Sequence, residues 1–171
     1  MTSNQNDKRY IDIELTDWEV KHCVDVANAR MAVSNARGLN NASTYERTYL
    51  ERIRQEVLGA CGEMAVCKAT GRFWSPSVDT FHRVPDIHPD IEVRATHYLN
   101  GCLPVRNNDP DDRWYTLVVG EPPKLRVVGS IRGHQAKRQE WLSNPHGHRP
   151  VYLVPQSALI TKGESLDDLA P

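Results

Sequence analysis

Along two stretches of this chain apolar residues return every three or four positions, and along several others they alternate. The first helical run places Val20, Val24, Ala27 and Met31 on one face. Thr16 or Asp17 can cap it, Glu19 lies in its first turn and Gly38 ends it. The segment "GLNNAS" is a turn-rich link. Ser43 or Thr44 is then a cap for a second helix, with Glu46 near its start. Leu50, Ile53, Val57, Ala60, Met64 and Cys67 draw the apolar stripe of that helix, and Gly71 is its natural stop. Gly59 and Gly62 sit inside it, each at a cost of about 0.8 to 1 kcal/mol relative to alanine. That penalty predicts a close neighbour for this part of the backbone. Glu63 follows directly, on the flank of the stripe, with Gly59 one turn before it.

The alternating segments predict strands. "YIDIEL" is a short one ahead of the first helix. Beyond a proline-containing loop over residues 72–90, strands are expected at 91–97, 102–106, 114–119 and 125–132. "LNG", "NNDPDD" and "GEPP" are the turns between them. Residues 133–142 read as a short helix, "VYLVP" as a further strand and "SALI" as a last helical turn. The order is helix, helix, four strands of antiparallel character, helix, strand. It predicts an α/β or α+β layer fold with helices covering a mixed sheet.

One strand carries chemistry. In "IEVRATH" Ile91, Val93 and Ala95 face one side, and Glu92, Arg94 and Thr96 face the other. Residues two apart on one face are about 6.6 Å apart along a strand, so an acid and a base can share a cleft without forming a tight pair. Asp86 and Glu92 can supply hard oxygen ligands to a cation such as Mg²⁺, with the Val93 carbonyl as a third. Arg94 can orient a water or stabilise charge on a phosphate oxygen. The plainer alternative is an exposed strand with Glu92 and Arg94 merely solvated.

Composition narrows the classes. The 171 residues are 39% hydrophobic and 25% charged, as expected for a soluble globular protein. Residues 1–9 read as a disordered lead, and residues 10–171 as one domain. The polar start lacks the apolar segment of a secretory signal, and no apolar run approaches the roughly 18 to 20 residues that span a bilayer. Cys23, Cys61, Cys67 and Cys102 form no Cys-x-x-Cys pair and read as small buried thiols. These features point to the cytoplasm, with no membrane partner. The net charge of −1 excludes a strongly basic protein. Yet Lys124 to Arg138, "KLRVVGSIRGHQAKR", holds five Lys or Arg residues and no acid, a stripe able to meet phosphates.

"GACGEMAV" on the second helix, "PD" at 85–86 and "EVR" at 92–94 resemble the PD-(D/E)XK nuclease superfamily, the restriction-endonuclease-like fold. The resemblance spans residues 45 to about 155. It implies an αβββαβ core with an extra helix in front, and a Mg²⁺- or Mn²⁺-dependent nuclease acting on DNA. It also implies that Asp86 and Glu92 bind the metal, assisted by Glu63 as a ligand or base. Arg94 stands where that superfamily usually has lysine. Arginine stays protonated and cannot be a general base, but its fork can hold a phosphate. Asp90 is the rival of Asp86.

Thr96, Arg106, Lys124, Arg126 and Arg132 are the candidate nucleic-acid contacts. Asp109, Asp111 and Asp112 read as a solvated turn, and Trp74 and Trp114 as core aromatics. His134, His146 and His148 lack the spacing of a zinc site. Two other functions fit the same residues. One is a catalytically inactive relative of the fold that binds DNA or protein. The other is a structural or regulatory protein with no nucleic-acid role.

Overall fold

The computed structural model describes residues 10–38, 47–79, 83–144, 147 and 149–160. Helix α1 (Asp17–Ala36) begins at Thr16, whose hydroxyl accepts the Glu19 N–H at 3.2 Å while Glu19 Oε2 accepts the Thr16 N–H at 2.7 Å. Helix α2 (Tyr49–Thr70) begins with the same reciprocal box between Thr48 and Glu51. The expected caps Ser43 and Thr44, and Glu46, lie outside the described residues. Gly71 closes α2 at φ +67°, a backbone that glycine adopts without penalty.

Four strands form the main sheet, in the order β1 (Ile11–Glu14), β5 (Lys124–Arg132), β4 (Trp114–Glu121) and β2 (Ile91–Thr96). A second sheet holds β3 (Leu103–Arg106), β7 (Val151–Val154) and β6 (Leu142–Ser143). The molecule is a mixed α+β structure with a helix layer, a central sheet and a second sheet. α2 packs between α1 and the face bearing Ile91, Val93, Val118, Leu125 and Val127. The other face presents Tyr115, Leu117, Val119 and Val128 to Leu103, Val105 and Val154. Sandwiched between the two, β4 is buried from Tyr115 to Gly120.

Three expectations change. The strands are not all antiparallel, because β2 runs parallel to β4, from Ile91 beside Trp114 to Thr96 beside Val119. β3 leaves the sheet instead of pairing with β2. Gln156 Nε2 donates to Leu99 O and Gly101 O, both at 2.9 Å, and ties the "LNG" segment towards the second sheet. There Leu103 and Val105 bury completely. Third, residues 133–142 hold only one helical turn, α3 (Gly133–Ala136), followed by a 3₁₀ turn at Gln139–Trp141. Of "SALI" only Ser157 and Ala158 lie in a turn, the 3₁₀ turn Gln156–Ala158, and Ile160 bridges to Ser130.

Gly62 explains its presence in α2. A Cβ there would stand 3.0 Å from Ala95 Cβ and 3.4 Å from Val93 Cγ1, so the helix lies directly on β2. Gly59 has nothing within 4 Å of that position. Around Gly62 the helix is buried on several sides, from Ala60 to Glu63 and from Ala65 to Cys67, whereas Leu50 at its start is exposed. Cys23, Cys61 and Cys67 are buried, and Cys102 is exposed. Among the described residues no helix is long and apolar enough to cross a membrane.

Candidate active site

β2 is an edge strand of the central sheet. Its side chains alternate as predicted. Ile91 and Val93 enter the core beneath α2. Glu92 and Arg94 lie on the opposite face, beside Tyr115 and Leu117 of β4.

On the α2 side, Glu63 is 4% exposed and both its oxygens are occupied. Arg30 Nη1 meets Oε1 at 2.7 Å and Arg30 Nη2 meets Oε2 at 2.9 Å, while the Trp74 indole N–H donates to Oε2 at 3.0 Å. Arg30 Nε donates to Ser77 O at 2.8 Å. Burial pushes the Glu63 carboxyl above the usual carboxylate range. Arg30 opposes this, the Asp86 charge adds to it, and Trp74 pulls the other way.

On the opposite face, Glu92 is 3% exposed. Arg94 Nη1 is 3.2 Å from its Oε2, and Arg113 Nη1 contacts its Oε1. Arg94 Nη1 also lies 3.3 Å from the Val93 carbonyl, and Arg94 Nη2 lies 3.3 Å from Asp109 Oδ2. The Arg94 guanidinium stands 5.4 Å from the Tyr115 ring centroid. Burial raises the proton affinity of Glu92 and the Asp86 charge raises it further, only partly offset by Arg94 and Arg113. Burial works against the charge on Arg94, but Asp109, Glu92 and Asp86 outweigh it and hold its pKa above the ordinary value.

Asp86 stands between these faces, at the edge of β2. Residues 87–91 close on themselves through reciprocal bonds of 3.0 and 2.9 Å between Ile87 and Ile91. This fold-back lets Asp86 Oδ2 accept the Val93 N–H at 2.8 Å. The Val93 N–H and C=O point to the same side of an extended strand, so carbonyl and carboxylate share the open edge. Asp90 is directed elsewhere: its Oδ2 takes Arg132 Nη1 at 2.8 Å. Asp86, not Asp90, is therefore the acid beside Val93. No family model, curated protein or solved structure matches this chain.

The residues expected to act together are thus brought together in part. Asp86, Glu92, the Val93 carbonyl and Arg94 form one cluster. Glu63, expected on a helix bordering the same cleft as Glu92 and Arg94, lies instead on the other side of the sheet, engaged by Arg30, so the joint site of Glu63, Asp86 and Glu92 is not formed. Among the described residues no group of three or more His, Cys, Asp or Glu side chains stands close enough to hold a metal. The local donor set is two carboxylates and a peptide carbonyl, hard oxygen atoms suited to Mg²⁺ or Mn²⁺. His146 and His148 lie outside the described residues.

The nucleic-acid candidates do not form one patch. Arg132, paired with Asp90 and stacked 4.4 Å from the Trp114 ring centroid, lies at the end of β5 nearest Ile91 and Glu92. Lys124 lies eight residues away, about 26 Å along the strand at about 3.3 Å per residue. Arg126 is near that far end, ion-paired to Asp12 at 2.9 Å and 3.6 Å from the Tyr10 ring centroid. Thr96 ends β2 beside Val119. Arg106 is exposed, and its backbone N–H donates to Asp109 Oδ2 at 2.8 Å.

Three partners were missed from the sequence. Asp109 is no solvated turn residue. Its side chain is 13% exposed and is shared by Arg94 and the Arg106 N–H, whereas Asp111 and Asp112 are exposed. Arg113 and Arg30 also went unread. Arg30 had a signal, a cation one turn after the apolar position Ala27 and next to Met31.

Proposed function

We infer that this chain is a metal-dependent nuclease of the PD-(D/E)XK type, hydrolysing phosphodiester bonds in DNA. The observation that carries the reading is the position of one guanidinium nitrogen. Arg94 Nη1 stands within hydrogen-bond reach of both Glu92 Oε2 and the Val93 carbonyl, while Asp86 caps the Val93 N–H. Two of the three expected oxygen donors thus already converge on a positive charge, and the third, Asp86, accepts the N–H of the same residue, Val93. Asp86, Glu92 and the Val93 carbonyl would hold Mg²⁺ or Mn²⁺. Bound there, the cation would acidify a water and offset charge developing on the phosphate. Arg94, kept protonated by its acidic neighbours, grips a phosphate oxygen and acts as a charge, not as a base. Glu63 supports the site from behind by fixing α2 against α1 and is not one of the donors in this arrangement.

A second reading, a non-catalytic module of the same fold that binds DNA, draws on the same contacts. Arg94 and Arg113 satisfy Glu92 without a metal. Plasmid and linear duplex DNA incubated with Mn²⁺ separate the two. Cleavage by the wild type, retained in Arg94→Lys and reduced in Arg94→Ala, supports the nuclease. DNA binding without cleavage by either the wild type or Arg94→Lys favours the module. No binding at low salt, where phosphate contacts are strongest, leaves a structural or regulatory role. Mn²⁺ is also expected to raise the melting temperature of the wild type, as a ligand of the folded state does, and not that of Asp86→Ala or Glu92→Ala.

A further inference from the structure

A row of paired charges joins two arginines whose own side chains are unpaired. Arg113, Glu92, Arg94 and Asp109 follow one another, guanidinium and carboxylate in turn. Arg113 Nη1 contacts Glu92 Oε1, Arg94 Nη1 is 3.2 Å from Glu92 Oε2, and Arg94 Nη2 is 3.3 Å from Asp109 Oδ2. Each end of the row holds the backbone of a further arginine. Arg113 Nη2 lies 3.3 Å from Arg83 O, and Asp109 Oδ2 accepts the Arg106 N–H at 2.8 Å. The main chain at both ends is thereby tied to the site, while both side chains are exposed.

Among the described residues neither the Arg83 nor the Arg106 guanidinium has a hydrogen bond or an ion pair. The nearby acids are engaged elsewhere: Glu92 and Asp109 within the row, and Asp86, three residues after Arg83, on the Val93 N–H. Other cations of the neighbourhood are closed, Arg132 on Asp90 and Lys137 on Asp111. The row balances itself, two guanidinium groups against two carboxylates. Its ends add two positive charges and Asp86 removes one, so this part of the surface is positive in a chain whose net charge is −1. Unpaired positive charge is thus fixed where an anion can approach it.

We propose that Arg83 and Arg106 are phosphate contacts, one at each end of the row, that seat DNA across Arg94 and the open edge of β2. The proposal rests on the DNA binding that both readings above share. It needs no metal, and the arginines on Glu92 stay in place. An exposed guanidinium can fork onto phosphate oxygens and release counterions from the nucleic acid. Such contacts position the duplex without reading its sequence.

The test is fluorescence anisotropy of a short labelled duplex in EDTA over a range of salt. Arg83→Gln and Arg106→Gln are each expected to weaken binding at low salt about tenfold and to lower the salt slope by about one, and the double variant by about two. Arg83→Lys, which keeps the charge, is expected to keep the wild-type slope. Arg54→Gln removes an exposed arginine from α2, on the other face of the sheet, and is expected to bind as the wild type does. Unchanged affinity and slope in both single variants of a wild type that binds overturn the proposal. So does a loss that varies with the sequence of the duplex, or a melting temperature several degrees lower in either variant, which would give that guanidinium a structural partner. The readings fail separately. A wild type that binds through these two arginines and never cleaves in Mn²⁺ keeps the proposal and loses the nuclease, whereas one that binds no DNA at low salt loses both.

Discussion

Glu63 and Glu92 are both buried glutamates in guanidinium contact, one on each side of the same strand, yet they are built differently. Arg30 takes both oxygens of Glu63 in a fork, Trp74 adds a third donor, and Arg30 Nε is anchored on Ser77. That arrangement is closed. Glu92 is shared by two arginines, Arg94 on β2 and Arg113 just before β4, and Arg94 is also drawn by Asp109. A fork matched to one carboxylate fastens helix to helix, whereas divided loyalties leave a carboxylate exchangeable. Burial alone does not mark a working acid; competition among its partners does.

The comparison breaks first at Arg30. Arg30→Ala leaves the Glu63 carboxyl buried without its partner and is expected to cost about 3 to 5 kcal/mol in denaturant unfolding. Replacing both residues with apolar ones of similar size recovers much of that loss. Equal destabilisation by Arg94→Ala would mean that the two sites are not different in kind. Under the nuclease reading, Arg94→Ala instead lowers the cleavage rate on the order of 10² to 10³, about 2.7 to 4 kcal/mol, in single-turnover assays.

A third test uses acidity. The folded protein holds the Glu63 proton more tightly than the unfolded chain does, since the native pKa lies above the ordinary 4.5. The stabilising contribution of the protonated form is complete below the ordinary value and is lost as pH rises through the native one. Each unit of separation is worth about 1.4 kcal/mol. Glu63→Gln removes that slope, read as melting temperature against pH from 4 to 7. A slope that survives the substitution assigns it to other groups. The smallest effect is expected at Arg126, about a third in solvent and paired with the half-exposed Asp12. Arg126→Ala is expected to change stability by about 0.2 to 1 kcal/mol and to leave the Mn²⁺ thermal shift untouched.

Local signals carried the elements well. The alternation of "IEVRAT" and the apolar stripe of α2 are both present, and Gly62 lies against a neighbour as its helix penalty predicts. The start of α2 was legible one turn further on than Ser43 or Thr44, because Thr48 and Glu51 spell a capping box. Strand order was not legible. Whether β2 pairs with β3 or with β4 depends on where Leu103 and Val105 find apolar cover, and that cover comes from residues 117, 119 and 154. The charge partners fail for the same reason. Arg30 and Glu63 are 33 residues apart, and Glu92 and Arg113 are 21 apart, separations at which no periodicity speaks.

The Val93 peptide has a consequence for the behaviour of the protein in concentrated solution. An outermost strand offers its unpaired amides and carbonyls to any extended chain that drifts alongside, which is how sheets join edge to edge into aggregates. Here the Asp86 carboxylate occupies the amide and the Arg94 guanidinium the carbonyl, and both put charge on that border. Removing Asp86 therefore uncovers a place where a second molecule can dock by strand addition. An Asp86→Ala preparation is expected to scatter more light on concentration than Asp86→Asn, whose amide oxygen can still accept the Val93 N–H.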